Sequence, residues 1–277
     1  MFYKIFQPHP ALREFVNNIM VFQLDIPLSE KPPTISFPPL AEQCLYFYPF
    51  EVPESEYLTT NKKVILPQSI LVGPQINRIK LKMPHRNFTI KVGFQPGGLY
   101  RLLGIPMTEM IMDESLESTY FLDKNIKFII EQLQETTSLE KSLEIIQNFL
   151  LSKLKVLKPK LPLDAVLPLI NKSGGLVNID TIASQACVSN RQLERLFLQR
   201  LGLQPKFFTR MIRFAKAWTI KEKFPDTKWT TIAYECGYFD QMHLIRDFKA
   251  FCGISPSVIE AEFKNSPYYL GNHFYDD

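Results

Sequence analysis

Apolar positions recur with a helical period in residues 229–256. Leu244, Phe248 and Phe251 stand at i, i+4 and i+7, the spacing of one buried helix face. Met242, Arg246 and Lys249 fall on the opposite face. A shorter helical stretch precedes them. Gly237 between the two suits the left-handed conformation that ends a helix. Asp240 is placed to cap the second helix, and Gly253 with Pro256 stops it. Two short helices in a tight turn, the second with a cationic outer face, predict a helix-turn-helix whose second helix enters the DNA major groove.

The pattern occurs twice. Ile182 and Ala183 lie fifty residues before Ile232 and Ala233, while Ser189, Leu193, Arg195, Phe197, Gly202 and Pro205 lie fifty-one before Asp240, Leu244, Arg246, Phe248, Gly253 and Pro256. Cap, core leucine, outward arginine, core phenylalanine, terminal glycine and following proline all repeat in register. The one extra residue falls in the turn, where an insertion is tolerated. The chain therefore carries two tandem units, at about residues 178–201 and 228–252.

The other elements follow from the same reading. Apolar stretches at Gln43–Tyr48, Val64–Leu66, Ser69–Val72, Ile79–Met83 and Phe88–Phe94 predict short strands between turn-rich, proline-marked segments. Residues 10–20 read as an opening helix. Strands without helical crossovers suggest a sandwich or a cupin-like barrel, which either holds a small ligand or is filled by its own side chains. Gly97-Gly98 is a plain turn, since no Lys-Ser/Thr follows it to make a phosphate loop. A helix starts in Leu102–Ile105.

Residues 124–157 are helical, with Ile126, Phe128, Ile129, Ile130, Leu133, Leu143, Ile146, Phe149 and Leu150 among their apolar positions. A homodimer contact and packing on the barrel both account for that surface. Lys153–Pro162 is a basic, proline-marked linker. It divides a regulatory domain (1–157) from a DNA-binding domain (158–265), with a tail at 266–277.

In the second domain a helix is predicted at Leu163–Lys172, offset by Pro168, and another from a cap at Asn178 or Asp180 to about Ala186. The first recognition helix spans Asn190–Leu201 behind its cap Ser189. Pro205 opens a helix to about Lys223, roughly 27 Å long. Such a helix can hold two recognition helices about one DNA turn, roughly 34 Å, apart. The fold class is thus α+β, a β-rich domain with helices followed by an all-α domain.

Charge sharpens this division. Residues 1–157 carry 16 basic and 16 acidic side chains, whereas residues 158–265 carry 16 basic and 10 acidic. The basic excess lies with the repeat, as phosphate binding requires. Apolar runs are too short to span a bilayer, and the opening MFYKIFQPHP is not a signal peptide. A cytoplasmic protein is expected. Cys44, Cys187, Cys236 and Cys252 lack metal-ligand spacing and read as buried or half-buried thiols in a reducing compartment. No cofactor is expected.

Candidate DNA contacts follow from side-chain chemistry. In the first unit they are Arg191, Gln192 and Arg195. Arginine pairs bidentately with guanine and glutamine with adenine. Glu194 can accept from cytosine or orient an arginine. In the second unit they are Gln241, Met242, which suits a thymine methyl, His243 and Arg246. Asn190, Arg213 and Lys249 are phosphate candidates, as is Arg246. His243 also reads as a cap or core residue beside Tyr238. Tyr238, Phe239, Phe248 and Phe251 read as core.

The strings IASQACVSNRQLERLFLQRLGLQPKFFTRMIRFAKAW and IAYECGYFDQMHLIRDFKAFCGISP resemble the AraC/XylS family of bacterial transcription regulators. The N-terminal half is similar to the sensor domain of one AraC-like subgroup through Gly73–Gln75 and Phe94–Pro106. The resemblance implies a seven-helix DNA-binding domain and a small β-rich regulatory domain, a small-molecule effector as in many members, and double-stranded DNA and RNA polymerase as partners. The chain departs from the family pattern in two places. Pro256 is followed by Ser257, Val258, Ile259 and Glu260 rather than an aromatic residue and an arginine, and Cys187 stands where such turns often have glycine. Two further functions compete: a barrel enzyme fused to a DNA module, and an adaptor whose first domain binds only protein. A metal-dependent barrel enzyme needs clustered His and Glu, and His85 is the one histidine placed in the predicted barrel core.

Overall fold

The computed structural model describes residues 1–110, 113–122, 125–136 and 138–264, with residues 263 and 264 described without their side chains. The predicted tail at 266–277, and positions 124 and 137 of the predicted helical stretch, lie outside the described residues.

The N-terminal half is built on two antiparallel sheets. The strands are β1 (Phe2–Phe6), β2 (Val16–Asp25), β3 (Thr34–Phe37), β4 (Cys44–Phe47), β5 (Glu54–Tyr57), β6 (Lys62–Ile65), β7 (Ser69–Val72), β8 (Ile79–Lys82), β9 (Arg86–Phe94) and β10 (Ser115–Glu117). Their order is β1-β2-β9-β4-β7-β10 in one sheet and β3-β8-β5-β6 in the other. The sheets face each other across Met20, Phe22, Leu24, Ile35 and Met83. The far side of the six-stranded sheet is covered by helices α1 (Gly98–Leu103), α2 (Asn125–Glu135) and α3 (Leu139–Lys153).

Three expectations are corrected here, and a fourth is refined. Residues 10–20 are not a helix. Only Pro10–Leu12 make a 3-10 turn, and the chain then enters β2, the long central strand. The helix expected from Leu102 begins at Gly98 and ends at Gly104, whose φ of 76° closes it. The stretch 124–157 is helical as expected, in two helices, of which α3 has its own cap at Ser138. Their buried residues Ile126, Ile129, Ile130, Leu133, Ile146, Phe149 and Leu150 pack on the six-stranded sheet of their own domain, while Phe128 stays exposed. Finally, His85 is outside the core. It sits in the connection between β8 and β9, its Nδ1 3.4 Å from the Ile26 carbonyl.

The C-terminal half is all helix, with seven helices among the described residues. They are α4 (Pro162–Lys172), α5 (Ile179–Gln185), α6 (Asn190–Leu201), α7 (Pro205–Lys223), α8 (Trp229–Glu235), α9 (Gln241–Cys252) and α10 (Pro256–Lys264). Proline at the first helical position suits α4, α7 and α10, because its missing N–H had no partner there in any case. Pro168 sits inside α4 without ending it.

The long helix α7 lies between the two units and is bound to both by rings. Phe208 meets Phe197 of α6 edge-on at 6.0 Å. Phe214 meets Phe248 and Phe251 of α9 at 4.7 and 5.2 Å. Phe207 also meets Phe251, at 5.5 Å, and Trp229 of α8 closes on Phe248 at 5.0 Å. Arg210 of α7 donates to the buried Asp247 of α9 at 2.6 Å.

A candidate DNA interface on two matched helices

The two units are superimposable in their local chemistry. In each turn an amide reaches back five residues: Val188 to the Ala183 carbonyl at 3.0 Å, and Tyr238 to Ala233 at 2.9 Å. The residue before it is left-handed in both, Cys187 at φ 52° and Gly237 at φ 67°. The following helices start at side-chain caps. Ser189 accepts from the Gln192 N–H and Asp240 from the His243 N–H. Both end at a glycine with φ 73°. Because Tyr238 matches Val188 and Asp240 matches Ser189, the extra residue of the second unit is Phe239.

Phe239 is 93% exposed, which corrects its assignment to the core; Tyr238, Phe248 and Phe251 are buried as expected. Cys187 is likewise exposed rather than buried, since the turn aims it outward. The other three thiols are buried, and burial pushes Cys236 up to about 11 and Cys252 up to about 12.

On α6, Arg191, Glu194 and Arg195 are exposed, and none has a partner among the described residues. Asn190 donates to Asp180 at 2.9 Å. Gln192 is part of the cap, its Oε1 accepting from the Ser189 N–H at 3.0 Å and hydroxyl at 3.1 Å. Its amide N–H groups remain for a base, whereas its carbonyl is already used. On α9, Met242, Arg246 and Lys249 are exposed and Gln241 is half-buried. His243 is half-buried and packs edge-on against Tyr238 at 5.5 Å. Arg213 is on α7 rather than on either recognition helix. Its guanidinium sits 5.4 Å over the Tyr238 ring and 3.4 Å from the Gly175 carbonyl, tying α7 to two turns.

Sequence reasoning missed the residues that join the two halves of the chain. Arg200, in the last turn of α6, is 2% exposed. It pairs with Asp164 of α4 at 2.9 Å and lies 4.7 Å over the ring of Tyr100 in α1. Gln43 donates to the Arg200 carbonyl at 2.7 Å. A Cβ on Gly202 would stand 3.2 Å from Met107 and 3.5 Å from Pro74. Arg78 also pairs with Glu262 of α10. Thus Pro74 and Tyr100, which lie in the two N-terminal stretches singled out from sequence, meet the first helix-turn-helix unit. A signal existed for Arg200: it stands seven residues after Leu193 and three after Phe197, on the buried stripe.

Two cavities lie beside this junction. One, of about 80 Å³, is enclosed between the sheets by residues including Phe22, Tyr46, Tyr48 and Leu81. The other, a cleft of about 210 Å³, has Phe208, Ile212 and Ala215 of α7 in its wall. Met20, Leu40 and Lys91 line both. Lys91 is buried and paired with Glu42.

Residues 182–262 match the family described as "Helix-turn-helix domain", and residues 4–115 match a domain of unknown function, DUF6597. The chain is 34% identical over 83 residues to RhaS, an HTH-type transcriptional activator of Escherichia coli, a match spanning 30% of either protein. It is 24% identical over 237 residues to an uncharacterized HTH-type transcriptional regulator of Haemophilus influenzae, covering 79% of this chain and 78% of that one. Among solved structures it is similar to ToxT of Vibrio cholerae, with 14% identity, a TM-score of 0.48, and coverage of 88% and 97%. It is also similar to the DNA-binding domain of AdpA in complex with a target DNA, with 23% identity, a TM-score of 0.35, and coverage of 38% and 95%.

Proposed function

We infer that this chain, which belongs to the AraC/XylS family through its helix-turn-helix domain, is a cytoplasmic regulator of transcription. It sets α6 and α9 in successive major grooves of one DNA duplex. The observation that carries this reading is the duplicated unit. Two capped helices with open cationic faces, Arg191 and Arg195 on one and Arg246 and Lys249 on the other, are held by one continuous helix of 19 residues. That helix spans about 28 Å, close to the pitch of a DNA turn.

Arg191 and Arg195 are the expected guanine readers, with Gln192 contributing only its N–H groups. Met242 is the expected reader of a thymine methyl. Arg246, Lys249 and Asn190 serve phosphates. Residues 1–157 act as the regulatory domain, and a small effector is expected at the two cavities. The support is geometric: the larger cleft touches α7, which holds both recognition helices.

Selection of bound sites from random duplex DNA by the full chain tests the reading. Two short blocks about one helical turn apart are expected. A single block would remove the second reader, and no enrichment with either the full chain or residues 158–277 would remove the function.

A further inference from the structure

We infer that Phe239 is a specificity-determining residue of the second unit, reading thymine methyl groups beside Met242; this rests on the two-groove reading above. The two turns differ in length by one residue, and that residue is an added aromatic ring. The fold makes no use of that ring. It is 93% exposed, the most exposed of the large apolar side chains among the described residues. The turn closes without it, through the Tyr238 amide and the left-handed Gly237.

Its position is defined by its neighbours. Phe239 directly precedes the cap Asp240, so it stands at the N-terminal edge of α9. That end of a recognition helix is the part that meets base edges. Three residues on is Met242, 55% exposed. The leading edge of α9 therefore presents two exposed apolar side chains beside Gln241 and His243, whereas the leading edge of α6 offers Asn190, Arg191 and Gln192. The one apolar feature of the major-groove edge is the C5 methyl of thymine. The units thus differ in readout: α6 offers hydrogen bonds alone, and α9 adds contacts to methyl groups. A protein surface is the other chemistry that could cover Phe239. The adjacent cap and the cations Arg246 and Lys249 on the same helix favour DNA.

The test uses the full chain and its selected site. Each thymine is replaced in turn by deoxyuridine, which removes the methyl and nothing else. The wild-type chain is expected to lose about fourfold in affinity for each methyl it covers, the value of one buried methylene-sized group. Those positions should cluster in one block. Phe239→Ala should bind the thymine site less tightly and become indifferent to uracil at one or more positions where wild type is sensitive. Phe239→Leu should restore the sensitivity. Because the side chain is exposed, thermal unfolding should be unchanged in both variants. Unaltered thymine–uracil discrimination in Phe239→Ala overturns the proposal while leaving the two-groove reading intact. So does a variant with normal DNA binding that fails only in transcription, which would place a protein on the ring. A chain with no selected site at all overturns both.

Discussion

Arg200 and Asp164 form a buried ion pair whose cost should appear only when one partner is removed. Burial pushes the Asp164 carboxyl above its ordinary range and the Arg200 guanidinium below its own. Desolvation therefore outweighs attraction for both, as is common for buried pairs. Arg200→Met keeps the stem volume and strands the carboxylate, whose side chain is 5% exposed. The stranded group can always escape by taking up a proton. Its penalty at pH 7 is therefore capped near 1.36 kcal/mol times the distance from its ordinary pKa, or about 4 kcal/mol. At pH 4.5 the same ceiling is about 1 kcal/mol. The sign follows from the raised pKa: the folded state binds more protons than the unfolded one, so the variant gains stability as pH falls. Asp164→Asn in the Arg200→Met background removes the charge but keeps an acceptor for the Leu161 N–H, which Asp164 now holds at 2.7 Å. That double variant should come within about 1.5 kcal/mol of wild type at pH 7. Denaturant unfolding of the three proteins at pH 7 and 4.5 is the assay. A deficit in Arg200→Met that is the same at both pH values, or a double variant as unstable as the single, would refute the argument.

Other expectations are simpler. Gly175→Ala should destabilise the helical domain by more than 2 kcal/mol in denaturant unfolding, at about the level of an incompatible backbone change, because φ is 78° and the new Cβ would lie 2.2 Å from the Thr209 carbonyl oxygen. Cys187→Gly should raise stability by up to about 1 kcal/mol, relieving a left-handed non-glycine residue. Arg195→Ala should weaken binding to the selected site by about 1–3 kcal/mol, with little loss on random DNA; equal loss on both, read by titration, would make Arg195 a phosphate contact. A thiol reagent at neutral pH should modify Cys187 fast and Cys236 slowly, since burial pushes the latter up to about 11.

The helical half was legible because its ends are marked by chemistry. Ser189, Gly202 and Pro205 each do a job that few residue types can do, so α6 and α7 begin and end where the sequence places them. The strand β2 was illegible for the opposite reason. Ile19 and Val21 enter the core under the helices, while Met20, Phe22 and Leu24 enter the core between the sheets. A strand buried on both faces loses the alternation that identifies it. Phe239 reads as core and the fold exposes it, whereas Arg200, which the sequence reading does not single out, is buried. Helical position locates Arg200 inside, but no periodicity reaches an inserted turn residue. Of the DNA candidates, the outward faces of α6 and α9 follow from the period alone, whereas the retention of Gln192 by its own cap and of Arg213 by Tyr238 needs coordinates.

The rings that bind α7 to both units make it a ruler. Phe197 on one side and Phe248 and Phe251 on the other cannot slide along it without breaking edge-on contacts within the core. An operator for this chain should therefore tolerate no change in spacing. One inserted base pair moves the second block by about 3.4 Å and turns it by roughly a tenth of a helical repeat. A regulator built from two subunits on a slack tether could follow that displacement. Here the second helix would still face the groove but meet bases one step out of register, so the distance between the blocks is as much a part of the message as the bases in them.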